Sequence, residues 1–200
     1  MVHPDPQSTV ALQLKEDTRA VHEALEARLL PILENLTHGK AYARLLRAFY
    51  GFYQPLETRI AEQLTLARLP DLGGRRKASW LLEDLAALGE PAPGLADVPG
   101  QLPPIDGEAA AWGALYVLEG STLGGRIICR MLEKQLPGAP LRFFAGYGAQ
   151  TGPYWTAFLA AFAQASARLP YSDIRQSAFL TFQSFDLWLQ QHLPAPVTTA

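Results

Sequence analysis

Sulfur is almost missing from this chain, which carries one cysteine, Cys129, and two methionines among 200 residues. A single cysteine excludes an intramolecular disulfide and any zinc site built on cysteine. Excess charge is missing too: 17 Lys and Arg stand against 19 Asp and Glu, a net charge of −2. There is no dense basic run, hence no electrostatic case for nucleic acid. No apolar run approaches the ~20 residues a membrane span needs. The polar, proline-containing start at 1–9 is neither a signal peptide nor a transit sequence. What remains is an expected soluble, cytoplasmic protein. Its domain is expected at 10–193, with flexible tails at 1–9 and 194–200, a length ample for one core and short for two.

Strand-like alternation is absent, and apolar residues recur with helical period almost throughout. The expected class is all-α. A first helix is predicted from Ser8 or Thr9 to Leu30, stopped by Pro31, and a second from His38 or Gly39 to Leu66, kinked or broken at Pro55. Further helices are predicted at 74–88, 108–133, 153–169 and 172–193. The Pro- and Gly-rich stretch 89–107 reads as a surface connection, and 137–152 as a loop holding Phe143, Phe144 and Tyr147.

The helix predicted at 108–133 carries Gly113, Gly120 and Gly124 along one side, with Gly125 next to them. At 3.6 residues per turn the three fall within a sector of about 40°. Glycine inside a helix costs about 1 kcal/mol relative to alanine, so something is expected to approach the backbone closely. It is either another helix at a tight crossing or a planar ligand. A planar ligand with a metal needs an axial donor, and His22 is the histidine placed in mid-helix on a definable face. Lys15, Thr18, His22, Leu25, Glu26 and Leu29 share that face. Lys15 lies about 10 Å along the axis from His22, close to the span from a porphyrin's metal to its propionate edge. Glu26, one turn on, is placed to orient the imidazole. The plainer readings are a core or surface histidine, an exposed carboxylate and a solvated lysine. Cys129 falls about 160° from the glycine row and reads as a small core residue.

LKEDTRAVHEALE at 14–26 and LYVLEGSTLGGR at 115–126, with FFAGYG at 143–148 and TGPYW at 151–155, resemble the biliverdin-forming haem oxygenases. The likeness is to the bacterial, bacteriophytochrome-associated branch, and it runs from about residue 10 to 190. It implies a single-domain helical fold with haem, both cofactor and substrate, between a proximal and a distal helix. By resemblance His22 is the proximal metal ligand, followed by Glu26, and Lys15 pairs with a propionate. Gly120 and Gly124 pass over the haem face with Gly125 beside them, and Tyr116 stands near a propionate or simply packs in the core. The implied reaction opens haem to biliverdin, releasing CO and ferrous iron. It uses O2 and electrons from a ferredoxin or a flavoprotein reductase, and the biliverdin is a supply for a bacteriophytochrome. A histidine ligand, unlike a thiolate, does not push electron density into early O–O cleavage.

Two departures stand out. Ser121 occupies the position where many animal members have aspartate, as it does in the bacterial branch. It is expected either to order distal water or to bond back to the helix carbonyl four residues earlier. The helix after Tyr154 lacks the basic residues relatives use for propionates: 156–167 has no Lys or Arg, and Arg168 alone is close. The attacked meso carbon therefore stays open. The rival readings are a haem-binding or haem-delivery protein without ring opening, and an all-α interaction protein whose glycines form a packing seam.

Overall fold

The apolar run at 111–119 is the centre of the fold; in the computed structural model every residue from Ala111 to Glu119 is buried. A helix that is apolar all round has to be enclosed by other helices, and the remaining elements do this. They are α1 (Pro6–Asp17), α2 (Arg19–Glu34), α3 (Gly39–Gln63), α4 (Ala78–Ala87), the central α5 (Glu108–Gly120), α6 (Gly125–Gln135), the single-turn α7 (Arg142–Ala145), α8 (Thr151–Ser166) and α9 (Tyr171–His192). The structure describes residues 6–75, 77–94 and 102–193, and among these every regular element is helical. None of the described helices is long and apolar enough to cross a membrane. Residues 1–5 and 194–200 of the expected tails, and 95–101 of the expected connection, lie outside the described residues.

α9 lies along α5, α3 and α8 pack on its other sides, and α2 rests on α9 and touches α6. α5 and α9 meet backbone to backbone at Gly113, where a Cβ would run into the Ile174 carbonyl oxygen of α9 and come within 3.0 Å of the Ala178 nitrogen. The Ser177 hydroxyl donates to the Ala110 carbonyl (2.7 Å) at the same crossing. The Trp188 indole donates to the Ala48 carbonyl (2.6 Å) and ties α9 to α3. Phe49, Phe52, Tyr53, Phe143 and Phe185 interlock between α3, α7 and α9, with Phe49 and Phe185 edge to face at 5.0 Å.

Several boundaries differ from expectation, each for a local reason. The first helix begins at Pro6, so residues 6–9 belong to it; proline in a first turn lacks only an N–H that has no helical partner. It breaks at Thr18, whose buried hydroxyl bonds back to the Leu14 carbonyl at 2.7 Å. The break is slight, because the Thr18 N–H still reaches Leu14 and the His22 N–H still reaches Thr18, both at 3.0 Å. Pro31 does not stop α2; its carbonyl accepts from the Asn35 side chain (2.7 Å) and backbone (3.2 Å), which close the helix a turn later. His38 caps α3, its Nδ1 accepting from the Ala41 N–H at 3.2 Å, and α3 continues through Pro55 to Gln63. The 108–133 segment is not one helix. Ser121 and Thr122 turn their hydroxyls back to the Leu118 and Glu119 carbonyls, both at 2.7 Å, and Ser121–Gly124 tightens into a 3-10 turn between α5 and α6.

Directly before that turn, α5 ends in a buried charge. Glu119 is 1% exposed and accepts from Arg75 (2.5 Å), the Lys77 ammonium (2.5 Å) and the Tyr147 hydroxyl (2.9 Å). Arg75 is held also by both oxygens of Asp71, at 2.8 and 2.7 Å. Burial alone would lower the Arg75 pKa, but the Asp71 and Glu119 carboxylates outweigh it and raise it above its ordinary value. Glu57 accepts the Lys77 N–H at 2.5 Å and the Ala78 N–H at 3.3 Å, capping α4. Removing one partner of such a buried pair costs about 3–5 kcal/mol, because it strands the other charge.

The glycines therefore divide. A Cβ at Gly113 or Gly125 would strike a backbone carbonyl, of Ile174 or Phe144, whereas one at Gly124 would meet nothing within 4 Å. Gly113→Ala and Gly125→Ala are each expected to cost about 1–3 kcal/mol in urea unfolding, the usual range for overpacking. Gly124→Ala should leave stability unchanged or raise it by up to about 1 kcal/mol. An equal loss in all three would remove the distinction.

Candidate functional site

The first half of the candidate site is carried by α2. The His22 side chain is 45% exposed, and its Nε2 lies 3.3 Å from a Glu26 carboxylate oxygen one turn on. Its ring leans on Phe182 of α9, with centroids 5.1 Å apart. Further along α2, Arg28 pairs with Asp186 of α9 and fixes how the two helices sit against each other. The imidazole is thus oriented by a carboxylate and an aromatic ring while half of it stays open. Lys15 lies before the Thr18 break, exposed and without an ion pair among the described residues.

The other half is the break between α5 and α6. The open side of Gly120 meets only the far edge of the Trp155 ring, 3.9 Å from where a Cβ would stand, and Gly124 faces open space. Around this bare backbone two large apolar side chains are left out of the core, Leu123 at 49% and Ile127 at 70% exposed. The two lie one helical turn apart and form the apolar part of the candidate site. Ser121 is exposed beside it; its proton is committed to Leu118, and its oxygen accepts from the buried Tyr53 hydroxyl at 3.3 Å. Burial pushes the Tyr53 phenol up to about 12, so it stays protonated and donating near neutral pH. The back-bond expected of Ser121 is present, to the carbonyl three residues earlier. Of the hydroxyl's two acceptor positions, Tyr53 fills one.

Tyr116 packs in the core, the plainer of the two roles considered for it. Its ring packs on Trp155 and Phe162, at 5.8 and 5.5 Å, while its hydroxyl donates to the Ala11 carbonyl of α1 at 3.3 Å, one helical turn before Lys15. Arg168 points elsewhere: with Arg68 it binds Glu108 at the far end of α5. Cys129 is partly buried, and burial pushes its thiol up, which suits a packing residue and not a thiolate ligand. Gly125 is taken up by the Phe144 carbonyl.

The sequence reading missed Tyr53, Trp155, Phe182 and the Glu119 network. One signal was available. A lone carboxylate at the end of AWGALYVLE, otherwise apolar from 111 to 118, demands buried partners. Which cations supply them was not readable, since Arg75 and Lys77 lie 44 and 42 residues away in sequence.

The family model described as Heme oxygenase matches residues 8–191. The chain belongs to the heme oxygenase family. It is 43% identical over 97 residues to a heme oxygenase of Xanthomonas campestris pv. campestris (strain 8004), a match covering 48% of this chain and 56% of that relative. Among solved structures, the NO- and CO-bound heme oxygenase from Neisseria meningitidis superposes with a TM-score of 0.74 over 92% of both chains, at 22% identity. That likeness shows the fold, and it agrees with the expectation of a heme-oxygenase-like helical protein.

The Tyr53–Ser121 bond makes these two hydroxyls an energetic unit. Tyr53→Phe and Ser121→Ala are each expected to cost about 1 kcal/mol in chemical denaturation, and the double variant clearly less than their sum. Strict additivity would mean that the two do not interact.

Proposed function

We propose that this protein is a heme oxygenase that cleaves haem to biliverdin, CO and ferrous iron, and that His22 holds the metal. The observation that carries the reading is the pairing of a half-open, carboxylate-oriented imidazole on α2 with a bare glycine backbone at the α5–α6 break, in a chain of this family. The residues fit the group. His22 would supply a nitrogen ligand to the metal, Gly120 and Gly124 would admit a flat ring close to bare backbone, and Leu123 with Ile127 would give it apolar cover.

When bound, haem supplies the oxygen-activating iron and the ring that is opened. The chain's own part is placement. Glu26 orients the His22 imidazole through its contact with the ring. Gly120 and Gly124 leave room for backbone close to the macrocycle, and Trp155 backs Gly120. Ser121, fixed by Leu118 and Tyr53, presents a hydroxyl oxygen beside that backbone and can hold a water there. Gly125 supports the turn from behind, against Phe144. Lys15 of α1 is the propionate partner, and Tyr116 of α5 steadies that helix through its bond to the Ala11 carbonyl one turn earlier. With Arg168 engaged by Glu108, the C-terminal helices add little to that anchoring. The co-reactants are O2 and electrons from a ferredoxin or flavoprotein reductase in the cytoplasm, and the biliverdin suits a bacteriophytochrome as acceptor.

Hemin titration followed by reduction in air tests the reading. A Soret band that decays into biliverdin absorption with CO release is the expected result. A stable Soret band would leave a haem-binding or haem-delivery protein, and no band would leave a packing seam. His22→Ala should lose the normal haem spectrum and ring cleavage, and Glu26→Gln should lower affinity or turnover about tenfold. Full turnover by His22→Ala would remove the central assignment.

A further inference from the structure

The 3-10 turn Ser121–Gly124 contains no buried residue. Packing of its own side chains therefore does not set its height above the gap. It is held at its two ends. On the far side, Gly125 sits against the Phe144 backbone, and Thr122 lies 3.6 Å from where a Cβ of Gly146 would stand. On the near side the anchor is Glu119, whose carboxylate ties the end of α5 to Arg75, Lys77 and Tyr147. Its backbone carbonyl also receives the Thr122 hydroxyl at 2.7 Å. Tyr147 in turn stacks on Tyr154 at 4.2 Å, one residue before the Trp155 that backs Gly120. A single buried carboxylate thus joins the 3-10 turn at Leu72–Arg75, the loop after α7 and the start of α8 to the residue before Gly120.

Resting on the haem reading above, we propose that Glu119 is a positioning residue: it sets the height and tilt of the Gly120–Gly124 backbone over the macrocycle and so biases which meso carbon is attacked. Propionate anchoring on the C-terminal side is sparse, so in-plane orientation of haem is weakly constrained there. The distal backbone becomes the stiff wall that selects the reacting edge. A multiply bonded buried charge suits this task because its hydrogen bonds are directional, whereas apolar packing tolerates sliding.

The test compares wild type, Glu119→Gln and, as a control at an ion pair outside the candidate site, Glu90→Gln, which faces Arg47. Three readouts are taken: amide hydrogen exchange across 121–125 in the hemin-free protein, the C–O stretching frequency of the carbon monoxide adduct, and the ratio of biliverdin isomers. For Glu119→Gln, exchange should rise about tenfold or more, as expected for losing a charge-assisted hydrogen bond. The C–O stretch should shift or broaden, and the isomer ratio should change. Glu90→Gln should move none of the three. A Glu119→Gln protein that melts earlier but keeps the wild-type stretch and isomer ratio would overturn the inference, leaving Glu119 a purely structural group. If that variant does not fold, Tyr147→Phe removes one donor and keeps both ion pairs. A smaller change in the same direction is then expected, and an unaltered stretch and ratio overturns the proposal. No Soret band with wild-type protein would overturn the haem reading itself, whereas a normal wild-type band with unaltered variants defeats only the role given to Glu119.

Discussion

The buried carboxylate of Glu119 is the constraint on which the rest of the structure turns. An ionised group at 1% exposure survives only when its lone pairs are filled by good donors. Here the donors come from two segments remote from α5 and from each other in sequence, one carrying Arg75 and Lys77 and the other Tyr147. Satisfying one charge therefore dictates where three segments meet. The Lys77 backbone passes the constraint on, since its N–H is capped by Glu57 of α3. Asp84 of α4 repeats the device, accepting the Arg142 and Phe143 N–H groups at 2.8 and 2.9 Å and so fixing α7 beneath the distal turn. Burial raises the pKa of Asp84, and those two backbone bonds oppose part of the rise.

The bare backbone at the α5–α6 break is stable because glycine serves two purposes along one line. Gly113 and Gly125 allow backbone to touch backbone, and that contact closes the core. Gly120 and Gly124, between them, are left open. A helix fully packed along its length would offer no face to a ligand. One left bare along its length would lack the contact with α9 that holds it. Alternating the two uses keeps α5 anchored while its end stays exposed, and the hydroxyls of Ser121 and Thr122 provide the local hydrogen bonds that convert the junction into a 3-10 turn.

Much of this was legible in the chain. The helical period placed most helices within a few residues, and the helix start expected at His38 or Gly39 is where α3 begins, with His38 as its cap. His22 and Glu26 were paired by spacing alone, because a turn of helix brings them together whatever surrounds it. Less legible were the breaks. Pro31 was expected to end a helix it does not end, and Thr18, an unremarkable residue in sequence, interrupts one through a hydroxyl back-bond. The glycine row was visible, but its division was not, since a missing side chain says nothing about which neighbour occupies the space.

By itself, then, the sequence determined the all-α class, the amphipathic face that carries His22, the apolar run that had to lie at the centre, and the presence of close backbone approaches along 113–125. These are consequences of local periodicity and composition, and they hold for any arrangement of the helices. The tertiary structure alone decided which glycines pack and which stay open, that Tyr53 rather than another group meets Ser121, that Arg168 turns to Glu108, and that Arg75 and Lys77 converge on Glu119. Each of these depends on contacts between residues tens of positions apart. Desolvation and steric exclusion act on what lies adjacent in space, and the linear order of residues carries no direct record of that.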